Sequence, residues 1–232
     1  ALLTVSETTR ADLIKTYPLG SKKITLASNA PQQNFTPKPE VGHAARQRWA
    51  GGLPYFLFVG AFTPRKNIAT LLRAFEQHQA RNPERREALV LVGNPLHRDS
   101  ELIELARRAG PHVHWVGRIE GSELNDLYSG ALAFAFPSRF EGFGIPLVEA
   151  MASGCPLLSS NASCMPEIAG DAARYADPDN VDEWTDLLYR AATEDPGPWI
   201  QRGLERAAYF SWDRSAEQVR QTLLELLATA RQ

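Results

Sequence analysis

Apolar runs alternate with amphipathic segments along most of the chain after residue 50. Residues 54–60, PYFLFVG, form a continuous apolar run that ends in glycine, as is typical of a strand buried on both faces. Residues 63–80 follow, with apolar side chains spaced along one face of a helix. The alternation continues through the segments ALVLVG, ELIELARRAG, HVHWVG, GSELNDLYSGA, LAFAFPS, IPLVEAMASG and PLLSS. This order predicts an α/β fold, a parallel sheet covered by helices on both faces.

The two ends of the chain depart from this pattern. Residues 1–29 predict a strand end, a capped helix and a short strand. Residues 30–50 begin with a stretch rich in Pro, Gln and Asn, which is typical of a linker. Residues 51–210 carry the alternation itself. Residues 211–232 predict a long amphipathic helix capped by Ser211, whose apolar stripe must pack against another element.

Composition and charge narrow the classes of function. The net charge of −2 gives no basic field for a nucleic acid partner. No apolar run approaches the roughly 20 residues that cross a bilayer. Cys155 and Cys164 are too few for a disulfide framework, and His112 and His114 lack a third metal ligand, so we expect a cytoplasmic protein without a metal site. Because the sequence does not begin with methionine, we expect a fragment of a longer protein.

The loop after the strand LAFAF is suited to bind a phosphate. Its glycines precede a helix that we expect to begin at Ile145 or Pro146, and proline is favoured at that position. The backbone N–H groups of Phe143, Gly144 and Ile145, together with the helix dipole, favour an anion there. Leu147 replaces the third glycine of the dinucleotide fingerprint, which argues against a nicotinamide cofactor.

Two carboxylates, Glu141 and Glu149, flank this predicted phosphate site. Since carboxylates repel phosphate but accept hydrogen bonds from hydroxyl groups, they suit the two sugars of a nucleotide sugar. The alternative is that they are ordinary acids near a helix N-terminus, where negative charge is favourable in any case.

Two further turns are candidates for the same ligand. Arg65 and Lys66 follow the strand-end residue Gly60, and this pair of cations suits a diphosphate, unless both are solvated residues of a first helical turn. Gly117 and Arg118 end another predicted strand, where the backbone can contact the edge of a base. Arg118 either stacks on that base or faces water.

The run from FVGAFTPRKNI to MPEIAGDAA resembles the retaining glycosyltransferases of family 4, which have the two-domain GT-B fold. The resemblance extends over about residues 4–226 and includes the E-x7-E motif. It implies that residues 51–210 are a Rossmann-like domain that binds a nucleotide sugar and forms one half of a GT-B fold. It also implies that residues 1–29 end an N-terminal domain absent from this sequence, and that the helix 211–232 packs toward that domain.

The resemblance also implies roles for individual residues. Glu141 would bind hydroxyls of the donor sugar and Glu149 the ribose hydroxyls. Lys66 and Arg65 would neutralise the diphosphate leaving group, although many relatives carry an arginine where this chain has Ala61. The implied catalytic residues are Glu141, Lys66 and Arg65, and the implied donor-binding residues are Glu149, Gly60, Phe143, Gly144, Ile145, Arg118 and Gly117.

The activity expected from the resemblance is metal-independent, retaining transfer of a sugar, with no cofactor. The nearest variants are mannosyltransferases of bacterial surface polysaccharides, which suggests GDP-mannose as donor and a glycan or lipid-linked acceptor. The N-terminal domain would hold much of the acceptor site and could place the enzyme at the inner face of the membrane, so the chain alone should be inactive. Two alternatives remain open, a nucleotide-binding module without activity and a nucleotide-sugar epimerase of the same fold.

Overall fold

The computed structural model describes residues 1–19, 23–94 and 100–230. The strands are β1 (Leu2–Thr4), β2 (Ile24–Leu26), β3 (Tyr55–Val59), β4 (Ala88–Val92), β5 (Val113–Gly117), β6 (Ala133–Phe136), β7 (Leu157–Ser160) and β8 (Ala173–Ala176). The helices are α1 (Glu7–Thr16), α2 (Gly42–Trp49), α3 (Ile68–Arg81), α4 (Ser100–Arg108), α5 (Gly121–Gly130), α6 (Ile145–Ala152), α7 (Met165–Ala169), α8 (Val181–Thr193), α9 (Gly197–Ala207) and α10 (Trp212–Ala230). Short 3₁₀ turns lie at Pro39–Val41, Pro64–Lys66 and Gly170–Ala172.

Six strands form one parallel sheet in the order β5-β4-β3-β6-β7-β8, which confirms the predicted fold class. The chain runs outward from β3 to β5 and then returns, so that β6 pairs with β3 on its other side. Strand order therefore reverses between β3 and β6. In open α/β sheets, ligands bind at such a reversal, outside the carboxyl ends of the strands.

Helices cover both faces of the sheet. Along β3, Tyr55 and Leu57 face one apolar core while Phe56 and Phe58 face the other, and all four side chains are buried. Helices α5, α6 and α7 pack on the first face, and α3, α4 and α8 on the second. Because both faces are covered, the strands are apolar throughout instead of alternating.

Residues 30–50 do not form the linker that their composition predicts. They include α2, which packs against α5, and Ala30, Phe35, Ala45 and Ala50 are buried in the core. The backbone of Thr36 also exchanges hydrogen bonds with the side chain of Asn125 on α5. The small alanine side chains leave little apolar signal in the sequence, although they fit a close contact between helices.

The chain ends form a smaller unit, in which β1 and β2 pair as a separate parallel ribbon. The hydroxyl of Ser211 accepts a hydrogen bond from the Arg214 N–H, so it caps α10 as predicted. Residues 231–232 of the predicted helix lie outside the described residues. The side chains of Leu223 and Leu227 on α10 are more than half exposed, and their packing toward another domain stays a prediction. Within the described ranges, no helix combines the length and the apolar character needed to cross a membrane.

Candidate functional site

The carboxyl ends of β3, β4 and β5 meet at a cleft. A Cβ atom on Gly93 would lie 2.0 Å from the carbonyl oxygen of Gly60, so only glycine lets these strand ends approach so closely. The Gly93 N–H donates to the Gly117 carbonyl at 2.7 Å and so joins the third strand end. A cavity of about 320 Å³ opens here, lined by Val59, Gly60, Ala61, Val92, Gly93, Asn94, Arg118 and Ile119.

A second cavity, of about 780 Å³, adjoins the first because both are lined by Arg118 and Ile119. Its wall includes Glu149 from α6, the first residues of α5, and Gln32 and Phe35. Gln32 and Phe35 are not among the predicted site residues, because their polar stretch is typical of a linker. The feature of the sequence that could have indicated this wall is an aromatic residue, Phe35, within an otherwise polar stretch.

Lys66 and Arg65 lie in the 3₁₀ turn that follows this edge of the sheet, and both form ion pairs with Glu141. Lys66 Nζ is 2.7 Å from Glu141 Oε1, and Arg65 NH1 is 2.7 Å from Glu141 Oε2. The Lys66 side chain is only 7% exposed, and its ammonium lies over the Phe136 ring at 4.5 Å from the centroid. Arg65 is half exposed. Burial lowers the pKa of Lys66, and the nearby Glu141 opposes that shift.

Residues absent from the sequence prediction hold this turn. Asn67 adopts a left-handed conformation with φ of 54°, and its amide donates to the Pro178 carbonyl at 2.5 Å. Arg139 donates from its guanidinium to the Pro64 carbonyl and from its backbone N–H to the Arg65 carbonyl, each at 2.8 Å. The left-handed conformation of Asn67 could have been predicted, because asparagine tolerates positive φ and directly follows the two cations in the sequence.

The backbone of Glu141 is held from the turn before α7. Its N–H donates to the Ser163 hydroxyl at 3.3 Å, and its carbonyl accepts from that hydroxyl at 2.8 Å and from the Cys164 thiol at 3.1 Å. Ser163 has a φ of 52°. Ser163 and Asn67 are the two non-glycine residues with positive φ in the described ranges, and each supports a charged group of the site.

The predicted phosphate-binding turn has the expected form. Gly144 adopts a left-handed conformation with φ of 87°, and α6 begins at Ile145 with proline next. The Phe143 side chain is buried and packs edge-on against Phe210, which fixes the turn from within. The backbone N–H groups of Phe143, Gly144 and Ile145 donate no hydrogen bond within the described part of the chain. These N–H groups at a helix start can receive an anion.

Glu149 lies one turn inside α6 and has no cation as partner among the described residues. The Tyr128 hydroxyl donates to its Oε2 at 3.3 Å. Burial raises the pKa of Glu149, and the tyrosine opposes the shift only in part. Arg118, by contrast, is mostly exposed at the rim and pairs with Glu120. The structure therefore brings Glu141, Lys66 and Arg65 into one cluster, with Glu149 in a separate environment.

The family profile and the curated relative that match this chain are both glycosyltransferases. The profile of the family described as glycosyl transferases group 1 matches residues 43–202. The Escherichia coli protein named O-antigen chain mannosyltransferase B is 33% identical over 227 residues, which cover 94% of this chain and 58% of that protein. This chain thus spans little more than half the length of that relative.

Solved structures agree with the fold. The sucrose-phosphate synthase from Thermosynechococcus elongatus superposes with a TM-score of 0.80 at 26% identity, covering 98% of this chain and 58% of that one. The C-terminal domain of a group 1 family glycosyl transferase from Francisella tularensis superposes with a TM-score of 0.67 at 22% identity. That match covers 78% of this chain and 97% of the Francisella domain, so the shared fold is that of a GT-B half.

Proposed function

The chain belongs to the group 1 glycosyltransferase family, and we propose that it is the donor-binding domain of a retaining, family 4 mannosyltransferase that uses GDP-mannose. The observation that carries the proposal is the cluster of Lys66, Arg65 and Glu141 at the reversal of the sheet, next to three N–H groups that donate no hydrogen bond to any described residue. Each part of this arrangement suits one part of a nucleotide sugar.

The diphosphate would bind between the cation turn and the start of α6. Lys66 is buried beside this turn, so it could neutralise charge on the leaving group by sharing its ammonium between the Glu141 carboxylate and the diphosphate. The N–H groups of Phe143, Gly144 and Ile145 would add hydrogen bonds from the other side. Bond cleavage leaves negative charge on the diphosphate, and donors fixed in advance stabilise this charge most where water is excluded.

The two glutamates would bind the two sugars. Glu149 is charged at neutral pH only at some cost, since burial raises its pKa and no described cation offsets it. The vicinal hydroxyls of a ribose would supply the hydrogen bonds that this carboxylate needs. Glu141 would accept hydroxyls of the donor sugar from the opposite end of the diphosphate.

The identity of the donor sugar rests on the relatives. The E. coli relative is named as a mannosyltransferase of the O-antigen chain, and a mannose donor and a glycan or lipid-linked acceptor are extended from that name to this chain. Retention would follow from departure and attack on the same face of the sugar, with the leaving diphosphate taking the proton of the acceptor. No protein nucleophile is needed for this course.

A calorimetric titration of the 232-residue chain tests the proposal. GDP, UDP and ADP are titrated in parallel, followed by GDP-mannose. We expect GDP to bind at least about tenfold more tightly than the other two, and GDP-mannose to bind without turnover in the absence of the rest of the enzyme. Binding of none of the diphosphates would contradict the proposal, whereas preference for UDP or ADP would change only the base.

A further inference from the structure

Helix α1 is joined to the sheet domain by polar contacts. None of its ten residues is buried, although Val5, just ahead of the helix, packs against the core of the domain. Its N-terminal turn nevertheless contacts two elements of the domain, the loop that carries Glu141 and the helix α7. These contacts join residues more than 130 positions apart in the sequence.

The first contact is to the carbonyl oxygen of Gly142, the residue directly after Glu141. The hydroxyl oxygens of Ser6 and Thr9 lie 2.6 and 3.1 Å from it, and 2.9 Å from each other. Since each hydroxyl carries one proton, at most two of these three hydrogen bonds form at once. Each of the three possible pairs of hydrogen bonds leaves the Gly142 carbonyl bound to Ser6, to Thr9 or to both.

The second contact sets the position of α1 itself. The Glu167 carboxylate on α7 accepts the backbone N–H groups of Glu7 and Thr8, at 2.7 and 2.9 Å, and the Thr8 hydroxyl at 2.9 Å. These N–H groups belong to the first turn of the helix, where a negative charge is also favoured by the dipole. The guanidinium of Arg206 in turn donates to the Glu167 and Ile168 carbonyls, which supports α7 from α9.

The Gly142 peptide lies between the two parts of the loop assigned to the donor, the Glu141 carboxylate and the N–H groups of the anion-binding turn. The turn before α7 holds the backbone on the Glu141 side, through Ser163 and Cys164. The N–H groups of Phe143 to Ile145, which donate no hydrogen bond within the described ranges, follow on the other side. Among the described residues, the Gly142 carbonyl has the Ser6 and Thr9 hydroxyls as its hydrogen-bond partners. These hydroxyls, together with the packing of Phe143 on Phe210, set how the anion-binding turn lies relative to Glu141.

We propose that Ser6 and Thr9 are positioning residues of the donor site, and that Glu167 keeps them in place. This inference rests on the proposed function. It links the placement of α1 to the affinity for the diphosphate, and by thermodynamic reciprocity a bound diphosphate would stabilise α1 where it is. A displacement of α1 would then change the affinity of the site for the diphosphate.

The test compares two double variants of the chain. Ser6→Gly/Thr9→Val removes both hydroxyls without a change of charge, and glycine is accepted at a helix N-cap at little cost. Ser6→Thr/Thr9→Ser keeps both hydroxyls. Thr16→Val makes the same change as Thr9→Val at an exposed position of the same helix and serves as the control. Thr9→Val alone replaces the first variant if that variant does not fold. It leaves the N-cap intact and removes one of the two hydrogen bonds to Gly142, so the same change of ratio is expected at a smaller size.

The main readout is the ratio of the dissociation constants for a nucleoside monophosphate and the matching diphosphate. In Ser6→Gly/Thr9→Val we expect diphosphate binding to weaken on the order of threefold to tenfold relative to the monophosphate. The hydroxyl-retaining variant and Thr16→Val should keep the wild-type ratio. A purely structural defect would affect both nucleotides alike, so an unchanged ratio in the folded variant overturns the proposal.

A second readout separates this proposal from the proposed function. Backbone order parameters of residues 141–145, measured by NMR relaxation without nucleotide, should fall in Ser6→Gly/Thr9→Val and not in Thr16→Val. If the wild-type chain binds none of GDP, UDP and ADP, the proposed function fails, and the order parameters alone decide whether α1 positions this turn. Unchanged order parameters would then overturn the inference.

Discussion

Glu141 and Glu149 lie eight residues apart, on either side of the same turn, yet their environments are opposite. Glu141 is only 9% exposed and forms ion pairs of 2.7 Å with both Lys66 and Arg65. Glu149 is partly buried, contacts the Tyr128 hydroxyl at 3.3 Å, and has no cation as partner among the described residues. A shared residue type in one motif therefore does not imply a shared task.

The difference follows from where the strands end. Glu141 lies in the loop after β6, which neighbours the turn after β3 because the strand order reverses there. The loop thus reaches the cations of that turn. Glu149 is already inside α6 and faces α5 instead, where Tyr128 is the available donor. One carboxylate is paired with two cations of the fold, and the other has a tyrosine hydroxyl as its partner among the described residues.

The largest effect should come from removing the buried cation. Lys66→Ala should weaken binding of GDP by about tenfold to a hundredfold, as expected for one charge-assisted hydrogen bond. Because Lys66 is buried, that loss should depend only weakly on salt, whereas the contribution of the half-exposed Arg65 should be screened. Calorimetry at two salt concentrations checks this, with the exposed Lys15→Ala as control. If Lys66→Ala weakens GDP binding no more than the control does, the diphosphate does not bind at Lys66.

A smaller effect should appear in the pH profile. Burial raises the pKa of Glu149, so this group takes up a proton at a higher pH than an ordinary glutamate. As the pH is lowered through that raised pKa, the carboxylate loses its charge, and nucleotide affinity should fall by about tenfold, as for the loss of one charge-assisted hydrogen bond. Because hydroxyl donors favour the charged carboxylate, binding should also release a proton from this site when the pH lies near the raised pKa.

The variant Glu149→Gln isolates this dependence. Glutamine is uncharged, so the affinity of the variant for the nucleotide should be lower than that of the wild type at neutral pH. Because glutamine does not titrate, the pH dependence that Glu149 causes should be absent from the variant. An identical pH profile in the variant and the wild type would show that Glu149 is not the titrating group.

Much of the fold could be predicted from the sequence. The apolar run PYFLFVG and its successors predict a parallel sheet because such strands are buried on both faces. The start of α6 was predicted because glycine and proline have strong local preferences. These features depend on interactions between near neighbours in the chain.

Features that depend on distant contacts were not predicted. The ion pairs of Glu141 join it to residues 75 and 76 positions away in the sequence. The residue types alone suggested only that Glu141 binds hydroxyl groups. Phe35 was missed as a wall of the second cavity because its neighbours are polar. The contact of Ser6 with Gly142 has no local signal at all, since a serine before a helix is sufficiently explained as a cap.

Titration of GDP into Glu141→Gln and Glu149→Gln, in parallel with the wild type, tests the central comparison most directly. Folding of each variant is checked by thermal unfolding, because a buried lysine loses part of its pairing in the first. Glu149→Gln should bind GDP about tenfold more weakly, since it loses a charged acceptor for hydroxyls. Glu141→Gln should bind GDP at least as tightly as the wild type, and up to a few-fold more tightly, because it releases two cations from a competing carboxylate. Weaker binding by both variants to the same degree would contradict the account, since the two glutamates would then share one task.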